Sequence, residues 1–202
     1  MTLTTIVEPR PGYPARLELE CRWSLGTDGL TCTLTARNAG SGPAPYGCGL
    51  HPYLRAATGS TDDWLVHLPA SHRLLTDDDL VPTDLVEVAA LAVATDFRTP
   101  RAVAGARLDN AHCGTAFGTD GTAAVSVTDA AGTGARIRFG TATPWVHLYT
   151  GPVGGPPAPG VAIEPTTGPP DAFRSGTGLV VLAPGEHHRA WWRIEPVGVT
   201  AG

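Results

Sequence analysis

Apolar and polar residues alternate along much of this chain, which is the pattern of β-strands with one face buried. In ARLELECRW (15–23) every second residue is apolar, and the residues between them are arginine or glutamate. LTCTLTARN (30–38) alternates in the same way, and the intervening SLGTDG is rich in turn-forming residues. Side chains with a period of two lie on opposite faces of a strand. The two stretches therefore predict an antiparallel hairpin.

Seven further segments have the composition of strands. Outside them, only Asp84–Ala92 could form a short helix. Many short strands separated by Gly, Pro and polar turns are typical of antiparallel sheets packed face to face. We therefore expect an all-β fold. The seven segments are Trp64–Leu68, Ala123–Thr128, Arg136–Phe139, Trp145–Tyr149, Val161–Glu164, Leu179–Leu182 and His188–Ile194.

The composition is that of one folded, turn-rich domain. Of the 202 residues 25 are Gly and 19 are Pro, while 42% are hydrophobic and 16% charged, which distinguishes the chain from disordered sequences. The segment GPVGGPPAPG (151–160) could be a linker, but strand patterns continue on both sides of it. We interpret it as a long loop within one sheet, so residues 1–202 are expected to form a single domain.

Charge and hydropathy exclude several classes of partner. The formal net charge is −5, and the 14 basic residues are all arginines without a basic run, so nucleic acid and anionic membranes are not expected partners. No apolar stretch is long enough to span a membrane, and MTLTTIVEPRPGYP is not a secretory leader, so we expect a cytoplasmic protein. The four cysteines contain no C-x-x-C pair, which indicates reduced thiols and no zinc site.

One histidine stands apart from the other six. In GCGLHPYLR (47–55), glycines at 47 and 49 allow a close backbone approach, and Pro52 biases His51 towards an extended conformation. The aimed ring could transfer protons, or it could simply pack against Tyr53. The remaining histidines lack the spacing of metal ligands, so no metal is expected. His67, His147, His187 and His188 fall in strand patterns, and His72 and His112 in polar connections.

Glu164 is the matching candidate for a base. It directly follows the apolar run Val161–Ile163 and precedes Pro165. A carboxylate at the end of a buried strand is costly to desolvate, which raises its pKa towards the range of a general base. The alternative is a glutamate that turns into solvent at the strand end.

Several separated motifs, in order, resemble the aldose 1-epimerases, or galactose mutarotase-like proteins, over nearly the whole chain. They are GYPARLELECRWSLGTDGLTCTLTARNAGSGPAPYGCGLHPYL, DFRTPR, RLDNAH, WVHLYTG and AIEPTTGPPDAFRSGTGLVVLAPGE. The last motif is similar to a bacterial Glu-Pro-Met-Thr signature in which Thr166 replaces the methionine. The resemblance implies an antiparallel β-supersandwich with a sugar cleft on one sheet, and an isomerase that needs no cofactor.

The resemblance also implies roles for individual residues in the interconversion of the α and β anomers of an aldohexose. His51 would be the general acid at the ring oxygen and Glu164 the general base at the C1 hydroxyl. Asp109, in RLDNAH, would bind sugar hydroxyls, although an Asx-turn with Asn110 is the alternative. Trp145 and Tyr53 could offer stacking surfaces to the sugar, although Trp145 in its alternating strand is also a candidate for the core.

The resemblance leaves out the first part of the family domain. Family members carry a segment before the GYP motif (12–14) with an arginine and a histidine that bind the sugar, whereas this chain starts near that motif. We therefore expect the chain to match the C-terminal two-thirds of the family domain, with N-terminal strands missing. Two alternatives to an active epimerase follow, namely a non-catalytic carbohydrate-binding module and an inactive fragment.

Overall fold

The computed structural model describes residues 1–152 and 155–198, and in these ranges the protein is built from antiparallel strands, with one α-helix, α1, of four residues (Ala172–Ser175). The strands, in chain order, are β1 (Thr2–Val7), β2 (Leu17–Gly26), β3 (Gly29–Asn38), β4 (Ala44–Tyr46), β5 (Tyr53–Leu54), β6 (Leu65–His67), β7 (Ala70–Thr76), β8 (Pro82–Glu87), β9 (Arg101–Ala102), β10 (Asp109–Thr115), β11 (Thr122–Thr128), β12 (Gly134–Gly140), β13 (Trp145–Tyr149), β14 (Val161–Thr166), β15 (Val180–Leu182) and β16 (His187–Val197).

The strands form two large sheets and one small one. The larger sheet has the order β1-β2-β3-β16-β12-β11-β6-β9, and the second has the order β5-β14-β13-β10-β7-β8. β15 and β4 form a separate two-stranded ribbon. All-β architecture with antiparallel pairing is what the alternating sequence predicts.

The predicted hairpin is present, and its strands extend through most of SLGTDG, so that the turn is limited to Thr27 and Asp28. β2 and β3 pair along their whole length, from Leu17 with Asn38 to Gly26 with Gly29. Gly29 has φ +116° and lies against the main chain of β16, where a built Cβ would be 2.1 Å from the carbonyl oxygen of Ile194. Glycine at this position is therefore required both by the turn and by the neighbouring strand.

The seven other predicted segments all contain strands, and the structure adds several that the alternation did not reveal. The segment 84–92, which could have formed a short helix, is instead the end of β8 followed by a 3₁₀ turn at Val88–Ala90. Its apolar residues fit either structure, and pairing with β7 decides for the strand. Residues 150–160 connect β13 and β14, which are neighbours in one sheet as predicted, although residues 153–154 lie outside the described ranges.

Two histidines predicted to lie in polar connections belong to strands. His72 is on β7 and pairs with Cys113, and His112 is on β10, where it is almost fully buried. Burial, together with the nearby charge of Arg73, lowers the pKa of His112 to about 3, so the ring is neutral. The polar residues around these histidines misled the sequence interpretation, because short strands tolerate polar neighbours on the face away from the core.

The core lies between the two large sheets. It includes Phe139 and Trp192 from the larger sheet and Leu148 and Ile163 from the smaller one. The four cysteines carry free thiols, with Cys21 Sγ 3.6 Å from Cys32 Sγ on the neighbouring strand. In the described ranges, no helix is long and apolar enough to cross a membrane.

A tryptophan ties the two sheets together. Trp192 on β16 is 1% exposed, and its indole N–H donates a hydrogen bond of 3.0 Å to the carbonyl oxygen of Pro165 on β14. The bond crosses the core from one sheet to the other, so it holds β14 at a fixed distance from β16. Breaking a hydrogen bond between a buried donor and a buried acceptor lowers stability more than breaking one between exposed groups.

We predict that Trp192→Phe lowers the free energy of unfolding by about 2 kcal/mol, because it removes the inter-sheet hydrogen bond and leaves a small cavity. Trp191→Phe is the matched control, since Trp191 is the next residue on β16 and is only partly buried. It should cost about 1 kcal/mol or less. Urea unfolding followed by fluorescence measures both, and equal losses would contradict the anchoring role.

Candidate active site

Glu164 lies on the outer face of the six-stranded sheet. Its neighbours Ile163 and Pro165 are buried, and Ile163 belongs to the core between the sheets. Because side chains alternate along a strand, Glu164 projects from the opposite face of β14. The side chain retains 17% of its accessible surface. A strand that packs in the core with one face therefore presents a mostly buried carboxylate on its other face.

The segment 48–54 runs antiparallel along the edge of β14 in one continuous register. The pairing includes a bridge between Gly49 and Thr166 and continues into β5, where Tyr53 pairs with Ala162. This register places His51 directly opposite Glu164. The supporting main-chain hydrogen bonds are Thr167 N–H to Cys48 O (2.9 Å), Leu50 N–H to Pro165 O (3.4 Å) and Ile163 N–H to Pro52 O (3.1 Å).

Gly49 allows the segment to approach β14 closely. A Cβ built on Gly49 would be 2.6 Å from Cγ2 of Thr166 and 3.2 Å from the carbonyl oxygen of Pro165. Contacts this short force atoms apart, and Thr166 is β-branched and has few alternative rotamers. The glycine that the sequence analysis associated with a close approach is thus used for one.

His51 contacts both a carboxylate and an aromatic ring. Its Nε2 lies 3.1 Å from Oε1 of Glu164, and its ring stacks on Tyr53 with centroids 5.3 Å apart and planes inclined by 26°. The side chain is 57% exposed, and Tyr53 is half-exposed. The two alternatives considered for His51, packing against Tyr53 and pairing for proton transfer, therefore coexist in the same conformation.

His147 flanks Glu164 on the other side. It pairs directly with Glu164 across β13 and β14, and its Nε2 donates a hydrogen bond of 2.7 Å to Oδ1 of Asp109 on β10. The carboxylate can only accept, which assigns the proton to Nε2. Sequence analysis placed His147 in a strand but not in the site, because its relation to Glu164 depends on strand register.

Of the candidates for sugar binding, Asp109 and Tyr53 lie near the pair and Trp145 is largely covered. Asp109 lies in β10 and not in an Asx-turn, and its carboxylate is partly open to solvent. Trp145 lies two positions before His147 but is only 8% exposed. A Cβ built on Gly178 would lie 3.2 Å from its indole nitrogen, so the turn at 178 leaves little space over the ring. Stacking on a sugar needs an open ring face, and Trp145 offers little of one, so we regard it as a supporting residue.

Burial raises the pKa of Glu164, and its neighbours act in both directions. Desolvation is the largest effect; His147 and His51 lower the pKa of the carboxyl, and Asp109 raises it. A carboxyl whose pKa lies above its ordinary value is a stronger base than an exposed glutamate. Among the residues that the structure describes, neither this site nor any other brings three His, Cys, Asp or Glu side chains together as a metal site would.

The family model that matches this chain is that of aldose 1-epimerase, over residues 1–195. Among curated proteins, the uncharacterized protein YihR of Escherichia coli K12 is 31% identical over 195 residues, which is 96% of this chain. The match covers 60% of YihR, so this chain spans about three-fifths of the length of that relative.

Solved structures share the fold. The GalM/aldose epimerase homologue from C. elegans has a TM-score of 0.74 at 18% identity, covering 96% of this chain and 69% of that one. A galactose mutarotase-like protein from Clostridium acetobutylicum has a TM-score of 0.73 at 15% identity, covering 96% and 61%. These identities are low, so the two structures support the all-β supersandwich architecture and no more.

We predict that Gly49→Ala destabilises the protein by about 1–3 kcal/mol, because the added methyl group collides with Thr166 and the main chain of β14. Gly42→Ala is the matched control, since a Cβ there would meet open space. It should change stability by about 0.5 kcal/mol or less. Chemical unfolding measures both, and a Gly49→Ala protein as stable as the control would refute the close approach.

Replacing Glu164 should reveal the cost of its burial. Because the pKa of Glu164 is raised in the folded state, the protein binds this proton more tightly than the unfolded chain does, so stability falls as pH rises through the folded pKa. Glu164→Gln should therefore be more stable than wild type at pH 7, and the difference should shrink at pH 4. Thermal unfolding at both pH values tests this.

Glu20→Gln on the exposed face of β2 is the control for that experiment and should show no comparable gain at pH 7. A Glu164→Gln protein that is less stable than wild type at pH 7 would mean that the contacts of the carboxylate outweigh its desolvation.

Proposed function

This chain belongs to the aldose 1-epimerase family, and from that premise we propose that it is an isomerase that interconverts the α and β anomers of an aldohexose by general acid and base catalysis. The observation that carries the proposal is the contact of 3.1 Å between His51 Nε2 and Glu164 Oε1 on an open face of the sheet. The two groups are supplied by different segments and are held in register by main-chain hydrogen bonds.

Ring opening needs two proton transfers at neighbouring oxygen atoms. In the proposed reaction, Nε2–H of His51 gives its proton to the ring oxygen, and Glu164 takes the proton of the C1 hydroxyl. The bond between C1 and the ring oxygen breaks, and C1 becomes a carbonyl carbon. After rotation about C1–C2, the same transfers run in reverse and the ring closes on the other face of C1.

The pair is suited to start this cycle. Imidazole exchanges protons near neutral pH, and a positioned acid or base contributes about 10²–10⁴-fold to a rate. At a separation of 3.1 Å, His51 Nε2 and Glu164 Oε1 are close enough to act on the two neighbouring oxygen atoms of one sugar carbon. The cycle returns both protons, so it consumes no cofactor.

Asp109 and Tyr53 are proposed to hold the sugar. One oxygen of Asp109 accepts from His147, and the partly exposed carboxylate can accept a sugar hydroxyl with its other oxygen. Tyr53 presents a half-exposed ring beside His51, which suits the apolar face of a pyranose. Trp145 lies on the same face of β13 as His147, and its largely covered ring would support that strand.

A non-catalytic sugar-binding module is the second candidate. The observation that favours it is the pair of side chains beside His51 and Glu164, since the carboxylate of Asp109 and the ring of Tyr53 are both partly exposed and can hold a sugar without a proton transfer. A binding module retains the cleft and its affinity for sugars without accelerating their interconversion.

The test is the optical rotation of freshly dissolved α-D-glucose and α-D-galactose as it relaxes to equilibrium. We expect the wild-type protein to accelerate relaxation. His51→Asn and Glu164→Gln should each lower the catalysed rate by about 10²-fold or more, because the new amide side chains cannot transfer a proton. Glu20→Gln is the control and should keep the wild-type rate.

Calorimetric titration with the same sugars separates the alternatives. Binding without acceleration would favour the binding module, and neither binding nor acceleration would favour an inactive fragment. If Glu164→Gln kept the full rate of an active wild type, the acid and base assignment would be wrong.

A further inference from the structure

His147 is a polar group in the site for which the proposed reaction has no role. Its ring lies between two carboxylates on neighbouring strands, with Asp109 on β10 and Glu164 on β14. The side chain is mostly buried, and its one described hydrogen bond goes from Nε2 to Asp109 at 2.7 Å. A mostly buried imidazole with a short bond to a carboxylate has a fixed orientation, because rotation of the ring would leave its N–H without that partner.

We infer that His147 is a positioning residue, which fixes the carboxylate of Asp109 for a sugar hydroxyl and supports Glu164 from the side opposite His51. The inference rests on the proposed function and deepens it. His147 does not exchange protons with the sugar in this scheme, because its Nε2–H is committed to Asp109 and the direct partner of Glu164 in the reaction is His51.

The geometry gives Glu164 a histidine on each side in one line across three neighbouring segments. His51 is opposite Glu164 in the register of 48–54 with β14, and His147 is opposite it in the register of β14 with β13. The His51 side chain is mainly exposed and that of His147 mainly buried. An exposed ring can be displaced by a ligand, whereas a buried ring bonded to Asp109 stays in place.

The two histidines therefore have different roles in the proposed reaction. A sugar that enters the cleft must separate His51 from Glu164, so Glu164 loses that favourable contact just when its proton affinity matters. His147 remains beside it and keeps favouring the ionised carboxylate, since nearby His147 lowers the pKa of Glu164 while burial and Asp109 raise it. Through its hydrogen bond, His147 also aligns Asp109, and small errors in such alignment are costly in rate.

The test uses two substitutions at position 147 and one control. His147→Leu removes the hydrogen bond and should lower kcat/KM for mutarotation by about 10²-fold, with a rise in KM from the loss of Asp109 alignment and a fall in kcat from the effect on Glu164. His147→Gln keeps an N–H donor for Asp109 and should recover most of the loss in KM. His72→Leu, a partly buried histidine of β7 in the same sheet, should leave both parameters near wild type.

A second readout does not depend on turnover. Carbon-13 NMR of the Glu164 carboxyl, assigned by its absence in Glu164→Gln, reports its titration directly. In His147→Leu the midpoint should move upwards, because a group that favours the ionised form is gone, with His51 and Asp109 still in place. Nitrogen-15 NMR should show a hydrogen-bonded Nε2–H for His147 in wild type and the loss of that hydrogen bond in Asp109→Ala.

The outcomes separate this inference from the proposed function. An active wild type with an equally active His147→Leu would overturn the positioning role and leave the isomerase intact. If wild type does not accelerate mutarotation, the proposed function fails, and the carboxyl titration decides the inference alone. An upward shift in His147→Leu supports it, and an unchanged midpoint overturns it.

Discussion

The antiparallel pairing of residues 48–54 with β14 is the interaction on which the candidate site depends. It joins a loop and a strand that are more than 100 residues apart in sequence, and it fixes which side chain faces which. A shift of one residue would turn His51 to the opposite face and leave Glu164 beside a leucine or a proline. Gly49 and the hydrogen bond from Trp192 to Pro165 both serve this pairing, one by permitting contact and the other by anchoring the strand.

The site combines a stable frame with a destabilising group. Neighbours of Glu164 along β14 are packed in the core, so the strand cannot shift to bring the carboxylate into solvent. Desolvation raises the pKa of Glu164, and the histidines on either side offset part of that effect. Local instability of this kind is typical of functional sites, because the strain is borne by the packing of the whole sandwich.

Family and activity rest on different evidence. The match to the aldose 1-epimerase family extends over residues 1–195, and the fold agrees with solved structures at low identity. Chemistry at the site depends on a few distances, above all those between His51, Glu164 and their neighbours. The chain spans only part of its relatives, so the site has to be judged on the residues that this chain itself contributes.

Local pattern predicted much of the fold, and it singled out His51 and Glu164 of the candidate site. Alternation identified the β2–β3 hairpin and seven other strand segments, because one buried face imposes a period of two on the sequence. It failed at 84–92, where apolar residues suit a helix and a strand equally and only pairing with β7 decides. His51 stood out through its glycines and proline, and Glu164 through its position after a buried run.

His147 and the covered ring of Trp145 were beyond the reach of the sequence. Both lie in the same alternating stretch, and nothing within that stretch distinguishes a residue beside a carboxylate from one beneath a turn. The registers of β10, β13 and β14 make His147 a neighbour of Glu164 and Asp109, and the approach of Gly178 covers Trp145. Sequence by itself determined which residues alternate and which are polar, since those are local properties. Only the tertiary structure decided which of them meet, because contacts across strands depend on the register of segments that are distant in the chain.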